Sequence, residues 1–435
     1  MPAGEPQTIL LLGSDHRYGE SKGDPPRSDT IIVVRLDPGE HATAVMSIPR
    51  DLEVNVPGHG SAKINAAFGL GGAKLTIATL QTLGIDVSHV VSVEFGGFVG
   101  AVNRLGCVYA DVDRRYFNDH GGPGGYAVIN LKPGYQKLCG GHALDYVRYR
   151  HTDSDFVRAA RQQAFLSQAK DQIGLGTLIK SRKDLLRIFG RYTQTDIADK
   201  DTAQLLGLLK LVYESTKTPI AQVPFPHTDC PSGSCVEISD AALRDTVRRF
   251  EEVRGQSPSG GGTSKRKQPK STAKRVRRKA GLAPGLVTAQ REGEDDVLSI
   301  DLKLRPRGLP VLFPKARLGG AGADYVQGSS PRSYEIFDRA RHSHRAYRIV
   351  LSTGLDGEYY GVQGTTWMTP PILDDPTDSR RIGNRRSERY FDGHKIKLLA
   401  WRSARAVYWV SNTLSGALTN RQMTDIAGSL REIGR

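Results

Sequence analysis

Three short apolar runs near the N-terminus constrain this chain more than any other feature. Ile9–Leu12, Ile31–Val34 and Ala44–Ile48 are each four or five residues long, rich in Ile, Val and Leu, and bounded by Gly, Asp and Pro. Runs of that length and composition read as buried strands. Charge appears where they stop: Asp15 and Arg17 after the first, Arg27 and Asp29 before the second, Arg50 and Asp51 after the third. Carboxylates and guanidinium groups gathered at strand ends are the ingredients of a site for a divalent cation and phosphate. For any one of these residues, ordinary ion pairing at a loop end is the alternative.

A second cluster lies at 141–166, GHALDYVRYRHTDSDFVRAARQQAFL. His142–Tyr149 reads as a short helix leading to Arg148 and Arg150. Ser154 or Asp155 can cap the helix that follows. On that helix Arg158 and Gln162 are four apart and share a face, with Arg161 beside it. Guanidinium forks and a helix N-terminus both favour phosphate oxygens. A solvated basic face would explain the helix, but not Arg148 and Arg150 just before it.

Between the clusters, GGAKLTIATLQTLG reads as a helix, HVVSVEF (89–95) as a strand, GGFVGAVNRLG as a short helix and CVYADV (107–112) as a strand. That rhythm predicts an α/β domain with a mixed central sheet flanked by helices. Residues 117–140 read as a Gly-rich excursion with turn chemistry throughout. HTDCPSGSCVEI reads as a hairpin, and 239–254 as a closing helix capped by Ser239 or Asp240.

The chain has 435 residues, room for two domains. Residues 255–283 carry Lys265, Arg266, Lys267, Lys270, Lys274, Arg275, Arg277, Arg278 and Lys279 and no acid, so they supply nine of the net +15 charges. This Gly/Ser/Lys/Arg composition predicts a disordered basic linker over 255–294. It separates a first domain over 1–254, which holds both charged clusters, from a smaller α+β domain over 295–435. The linker suits an anionic surface, but without aromatic interleaving or a groove-reading helix nucleic acid is disfavoured. In the second domain, Val297–Ile300, Tyr347–Leu351, Tyr359–Val362, Ile396–Trp401 and 408–414 read as strands and Arg421–Leu430 as a helix. Its dense aromatics suit core packing, with stacking on sugar rings as the alternative.

The four cysteines lack zinc-ligand spacing. Cys107–Cys139 and Cys230–Cys235 are the natural disulfide pairs and favour an extracytoplasmic protein; four reduced thiols in a cytosolic one are the alternative. No apolar run approaches bilayer length, so if the protein works outside the membrane, its anchor is expected upstream of Met1.

These motifs resemble the LytR-CpsA-Psr family. The matching strings are LLLGSDHR (10–17), RSDTIIV (27–33), SIPRDLEV with VPG (47–58), KINAAF (63–68), GGF (96–98) and GHALDYVRYRHTDSDFVRAARQQ (141–163), in the family's order and spacing. They cover about half the chain. One departure is Val157, where the family pattern reads Gly.

The resemblance implies a membrane-anchored phosphotransferase on the outer face of the cytoplasmic membrane. It would move a glycopolymer, teichoic acid or a relative, from a polyprenyl-diphosphate carrier to a peptidoglycan hydroxyl. Asp15 and Asp29 would hold Mg²⁺ (or Mn²⁺). Arg50, Arg148, Arg150, Arg158 and Gln162 would grip the diphosphate, with Arg17, Arg27, Asp51 and Lys63 in or beside that shell. Arg50, Asp51, Arg148 and Arg150 are the catalytic candidates; Asp51 is a base or only a brace for Arg50. The competing reading is a regulatory module that binds polyprenyl phosphates without turnover, in keeping with the family's transcriptional attenuator label. Phe156, Phe165 and Leu166 of the helix at 155–173 and the leucines of the helix at 201–213 are candidates for the wall of a lipid channel, with core packing as the alternative.

Overall fold

A computed structural model describes residues 5–15, 27–40, 42–120, 128–149, 155–195, 220–253, 281–383 and 385–434. The three apolar runs are adjacent strands: β1 (Gln7–Asp15), β2 (Arg27–Asp37) and β3 (Ala42–Ile48). After them come the hairpin β4 (Glu53–Val56) and β5 (Gly60–Lys63), helix α1 (Ile64–Thr82), β6 (His89–Glu94), helix α2 (Phe95–Arg104) and β7 (Val108–Val112). The short strands β8 (Tyr116–Asn118), β9 (Ile129–Leu131) and β10 (Gly134–Leu138) precede helices α3 (Gly140–Arg148), α4 (Asp155–Gln172) and α5 (Leu175–Tyr192). Strands β11 (Thr193–Thr195) and β12 (Ile220–Gln222) form the sheet edges.

The central sheet is mixed, in the order β11-β6-β1-β2-β3-β12. β6 runs parallel to β1 and β12 parallel to β3, while β2 is antiparallel to both of its neighbours, β1 and β3. Central strands covered on both faces must be apolar on both faces, which is why their sequences are continuous rather than alternating. On one face Leu10, Leu12, Val33 and Met46 pack under α1 and Phe250 of the closing helix Asp240–Glu251. That closing helix is capped by the Ser239 hydroxyl, which accepts from the Ala242 amide. On the other face Gln163 of α4 donates to the Ser47 hydroxyl at 3.3 Å.

The described parts of the region 117–140 form strands. β8 pairs with β9 and β10 with β7; Ile129, Leu131 and Leu138 enter one core, and Tyr135 faces the second domain. The free edge of β7 is satisfied by glutamine side chains from α4. Gln172 accepts from the Tyr109 amide at 2.8 Å and donates to its carbonyl at 2.7 Å, and Gln168 accepts from the Asp111 amide at 2.9 Å. One amide thus replaces a neighbouring strand.

The second domain begins earlier than the expected boundary at 294. Leu286–Thr288 is a strand paired with Ala316–Leu318, and Gln290–Leu304 is a helix, so the linker expected over 255–294 stops before Ala283, which is buried. Val297–Ile300, expected as a strand, is part of that helix. Gly293, Val297, Ile300 and Leu304 recur at three or four residues and are all buried, and a four-residue apolar run alone does not separate the two periods. A seven-stranded sheet follows, antiparallel throughout, containing Tyr347–Leu351, Tyr359–Val362, Ile396–Trp401 and Val407–Ser411 among its strands. Helix Asn420–Ser429 opens on a capping box between Thr419 and Gln422.

One face of this sheet packs on its own two helices through Ile349, Leu351, Val362 and Leu399. The other face, through Ala346, Trp367, Ala400 and Trp409, packs on Tyr109 and Tyr135 of the catalytic domain. The aromatics expected as core are indeed inside: Trp367, Trp401 and Trp409 are each at most 6% exposed. At the centre of the contact the buried Arg348 guanidinium meets the Asp111 carboxylate at 3.1 Å, and the Trp409 indole donates to the same carboxylate at 3.3 Å. Tyr109 also donates to the Phe337 carbonyl at 2.7 Å and Arg339 to the Gln172 carbonyl at 2.8 Å.

Removing one partner of a buried ion pair leaves the other charge desolvated. Asp111→Ala is therefore expected to cost about 3–5 kcal/mol in a urea titration. Arg348→Met with Asp111→Leu together should cost less than Asp111→Ala alone. An unchanged midpoint for Asp111→Ala would contradict the interdomain pairing.

Candidate active site

The ends of β1, β2 and β3 lie on one side of the sheet. Asp15 pairs with Arg27 across β1 and β2, and the register shifts at Gly13/Ser14 so that Asp29 falls between Ser28 and Thr30 without a partner on β1. Such a bulge bends a strand and re-aims its residues. Backbone geometry alone thus puts Asp15, Arg27 and Asp29 at one corner; their side chains, and Arg17 and Arg150 entirely, lie outside the described residues.

The third strand end is described in full. Arg50 and Asp51 follow β3, and the chain then returns through β4 and β5 to Lys63. The Asp51 carboxylate sits between two cations, 3.3 Å from Arg50 Nε and 3.0 Å from Lys63 Nζ. Its backbone is held as firmly: the Val236 amide donates to the Asp51 carbonyl at 3.0 Å, and the Asn65 amide to the Arg50 carbonyl at 3.2 Å. A cavity of about 340 Å³ opens here, lined by Arg50, Asp51, Lys63, Asn65 and Ala66. The Asp51 carboxylate thus ties the Arg50 and Lys63 side chains together at the cavity wall. Asn65 was not legible as a site residue, because a lone Asn in KINAAF carries no charge signal.

The Cys230–Cys235 disulfide closes the hairpin that supplies Val236, and Cys107–Cys139 joins the end of α2 to the start of α3. Among the described residues the one grouping with metal-ligand proximity is Glu53 with Cys230 and Cys235, and the disulfide withholds both sulfurs from a metal.

The second cluster divides in two. Arg158 and Gln162 are buried on α4. The Gln162 amide donates to the Thr30 hydroxyl at 3.2 Å and to the Val147 carbonyl at 3.0 Å. That side chain ties α4 to the end of α3 and to the residue after Asp29. The two clusters that are 100 residues apart in sequence therefore meet. Arg161 serves a different purpose: it is fully buried, donates to the Tyr149 carbonyl and lies 4.7 Å over the Tyr116 ring. Its charge is absorbed by an aromatic cage. Arg148, at the end of α3, is half-buried with its guanidinium 4.7 Å over the Phe95 ring. Burial pushes the neighbouring Asp145 carboxyl up, against the pull of Arg148.

Val157, the departure from the family pattern, is buried against the second domain. Gly357, at φ +75°, leaves no room for a Cβ, which would lie 2.6 Å from a Val157 methyl. A larger residue at 157 is thus matched by a glycine across the domain contact. The helix 201–213 lies outside the described residues, and Phe165 of α4 is core. No helix among the described residues is long and apolar enough to cross a membrane.

The LytR_cpsA_psr family profile matches residues 2–246. The regulatory protein MsrR of Staphylococcus aureus is 30% identical over 263 residues, which is 56% of this chain and 73% of MsrR. The polyisoprenyl-teichoic acid–peptidoglycan teichoic acid transferase TagT of Bacillus subtilis is 34% identical over 211 residues, 48% of this chain and 65% of TagT. The match thus spans just under two thirds of that transferase. Among solved structures, that of B. subtilis TagV is 27% identical with a TM-score of 0.46, covering 57% of this chain and 96% of TagV. With more than half of its length matched by that profile, the chain belongs to the LytR-CpsA-Psr family.

Proposed function

We propose that this protein transfers a phosphoglycosyl polymer from a polyprenyl-diphosphate carrier to a hydroxyl of peptidoglycan, releasing polyprenyl phosphate, on the outer face of the cytoplasmic membrane. The observation that carries the reading is the Gln162 bridge to Thr30. It brings the arginine-bearing helices onto the carboxylate-bearing strand ends, which is what a diphosphate between a cation and guanidinium groups requires. Relatives named as teichoic acid transferases support it. A non-catalytic, regulatory binder of the same lipid is the second reading, favoured by the relative named as a regulatory protein.

Phosphoryl transfer is mostly positioning and charge neutralisation. The acceptor oxygen bonds to the sugar-proximal phosphorus, the bond from that phosphorus to the bridging oxygen breaks, and polyprenyl phosphate departs with the electron pair. Arg50, Arg148 and Arg158 neutralise the equatorial oxygens, with Arg17, Arg27, Arg150, Lys63 and Gln162 as the remaining polar contacts. Asp51 keeps Arg50 and Lys63 directed into the cavity. Asp15 and Asp29, on adjacent strand ends, form an oxygen donor set suited to a hard cation. Mg²⁺ or Mn²⁺ held there would supply further charge neutralisation on the diphosphate.

Arg148→Ala should abolish transfer with the far-UV circular dichroism unchanged; full turnover by this variant would sink the assignment. Asp51→Asn should lower kcat about tenfold, whereas a loss of about 10²–10⁴-fold with disappearance of the acidic limb of the pH profile would mark a general base instead. Chelation by EDTA should stop turnover, and added Mg²⁺ or Mn²⁺ should restore it; activity persisting in EDTA would remove Asp15 and Asp29 from the metal role.

A further inference from the structure

A second cavity, of about 280 Å³, opens between the two domains. Ser47, Gln163, Phe225 and His227 line its catalytic side, and Asp392 and Lys395 of the second domain line the other. It adjoins the site just described at two points. Pro49, in its wall, precedes Arg50, and Ala159, Ala160 and Gln163 interleave on α4 with Arg158 and Gln162.

The polar groups here are varied and incompletely used. Gln163 spends its amide nitrogen on Ser47, leaving its oxygen. His227 has one ring nitrogen on the Phe225 carbonyl at 3.1 Å, leaving the other. Lys395 donates once, to the Gly416 carbonyl at 2.8 Å, and has two further N–H groups. The half-buried Asp392 carboxylate accepts no hydrogen bond among the described residues. Burial pushes its pKa up, against the charges of Lys397 and Lys395. A desolvated carboxylate lacking donors is costly until a ligand supplies them.

We infer that this interdomain cleft binds a sugar ring of a hydroxyl-rich glycan next to the diphosphate site. Hydroxyls are both donors and acceptors, so they match a set containing a carboxylate, an ammonium, an imidazole and an amide. One carboxylate against one ammonium leaves no net charge to hold a second phosphate. A lipid tail would strand the same polar groups without water. The Phe225 ring and Pro49 add an apolar face for the C–H side of a pyranose. The second domain thereby becomes half of a substrate subsite.

The inference rests on the phosphotransferase reading for the identity of the glycan, and its test does not depend on turnover. His227 proton signals, assigned with His227→Gln, are followed by NMR in the full chain. The probes are the N-acetylglucosamine–N-acetylmuramic acid disaccharide, for the acceptor source, and farnesyl-diphosphate-linked N-acetylglucosamine, for the donor source. One of them should shift His227, and Asp392→Asn should weaken that binding about tenfold, the loss of one charge-assisted hydrogen bond. Ser415→Trp, filling the cleft, should abolish the shift, with both variants keeping the wild-type thermal midpoint. In the transfer assay the same variants should raise KM for that sugar substrate and leave kcat within about threefold. Two results overturn the inference: neither sugar shifts His227, or farnesyl phosphate without sugar shifts it as strongly. Absence of wild-type transfer beside a sugar-induced shift would overturn the catalytic reading and leave the cleft standing.

Discussion

Every buried amide must find a partner, and on helix α4 that requirement organises the molecule. Gln162, Gln163, Gln168 and Gln172 are all buried on this one helix. Gln162 reaches β2 and α3, Gln163 reaches β3, and Gln168 and Gln172 complete the open edge of β7. The helix is thereby fixed in rotation as well as position, since these amides reach three different places: the β2–α3 corner, β3 and the edge of β7. Arg158 shares the Gln162 face, one turn nearer the start of the helix, and is buried with it. Apolar packing alone would tolerate small slides of α4 that a diphosphate site does not.

The second domain extends the same constraint. Asp111, on the strand that α4 caps, continues into Arg348 and Trp409, and the last residue of α4 meets Arg339. At its other end Val157 meets Gly357. The helix is thus held at both ends by the second domain and in the middle by the catalytic sheet. A buried ion pair of this kind is weak evidence for stability on its own, and its use here is better understood as fixing which faces meet.

Much of this was legible from residues. The three strands, Arg158 with Gln162 at i and i+4, the Ser239 cap and four strands of the seven-stranded sheet follow from period and punctuation. The rest was hidden for physical reasons. Gln163, Gln168 and Gln172 carry no sequence signal of their own, because nothing local marks an amide that will serve as a strand partner. Arg161 reads as one more phosphate ligand until Tyr116, Tyr146 and Tyr149 converge on it from distant segments. Val297–Ile300 is too short to reveal its period without its buried neighbours, and the glycines over 117–140 mask the alternation of Ile129 and Leu131. The pairing of Asp51 with Lys63 was not legible either, because Lys63 arrives from the other side of a hairpin.

The central claim is that the strand-end carboxylates and the α3–α4 arginines form one site that turns a polyprenyl diphosphate over. Mass spectrometry of the wild-type protein with a polyprenyl-diphosphate glycan, Mg²⁺ and peptidoglycan tests it most directly. The account predicts polyprenyl phosphate released in step with glycan joined to the wall polymer through a single phosphate. Tight lipid binding with neither product formed would contradict it and leave a binding module in its place.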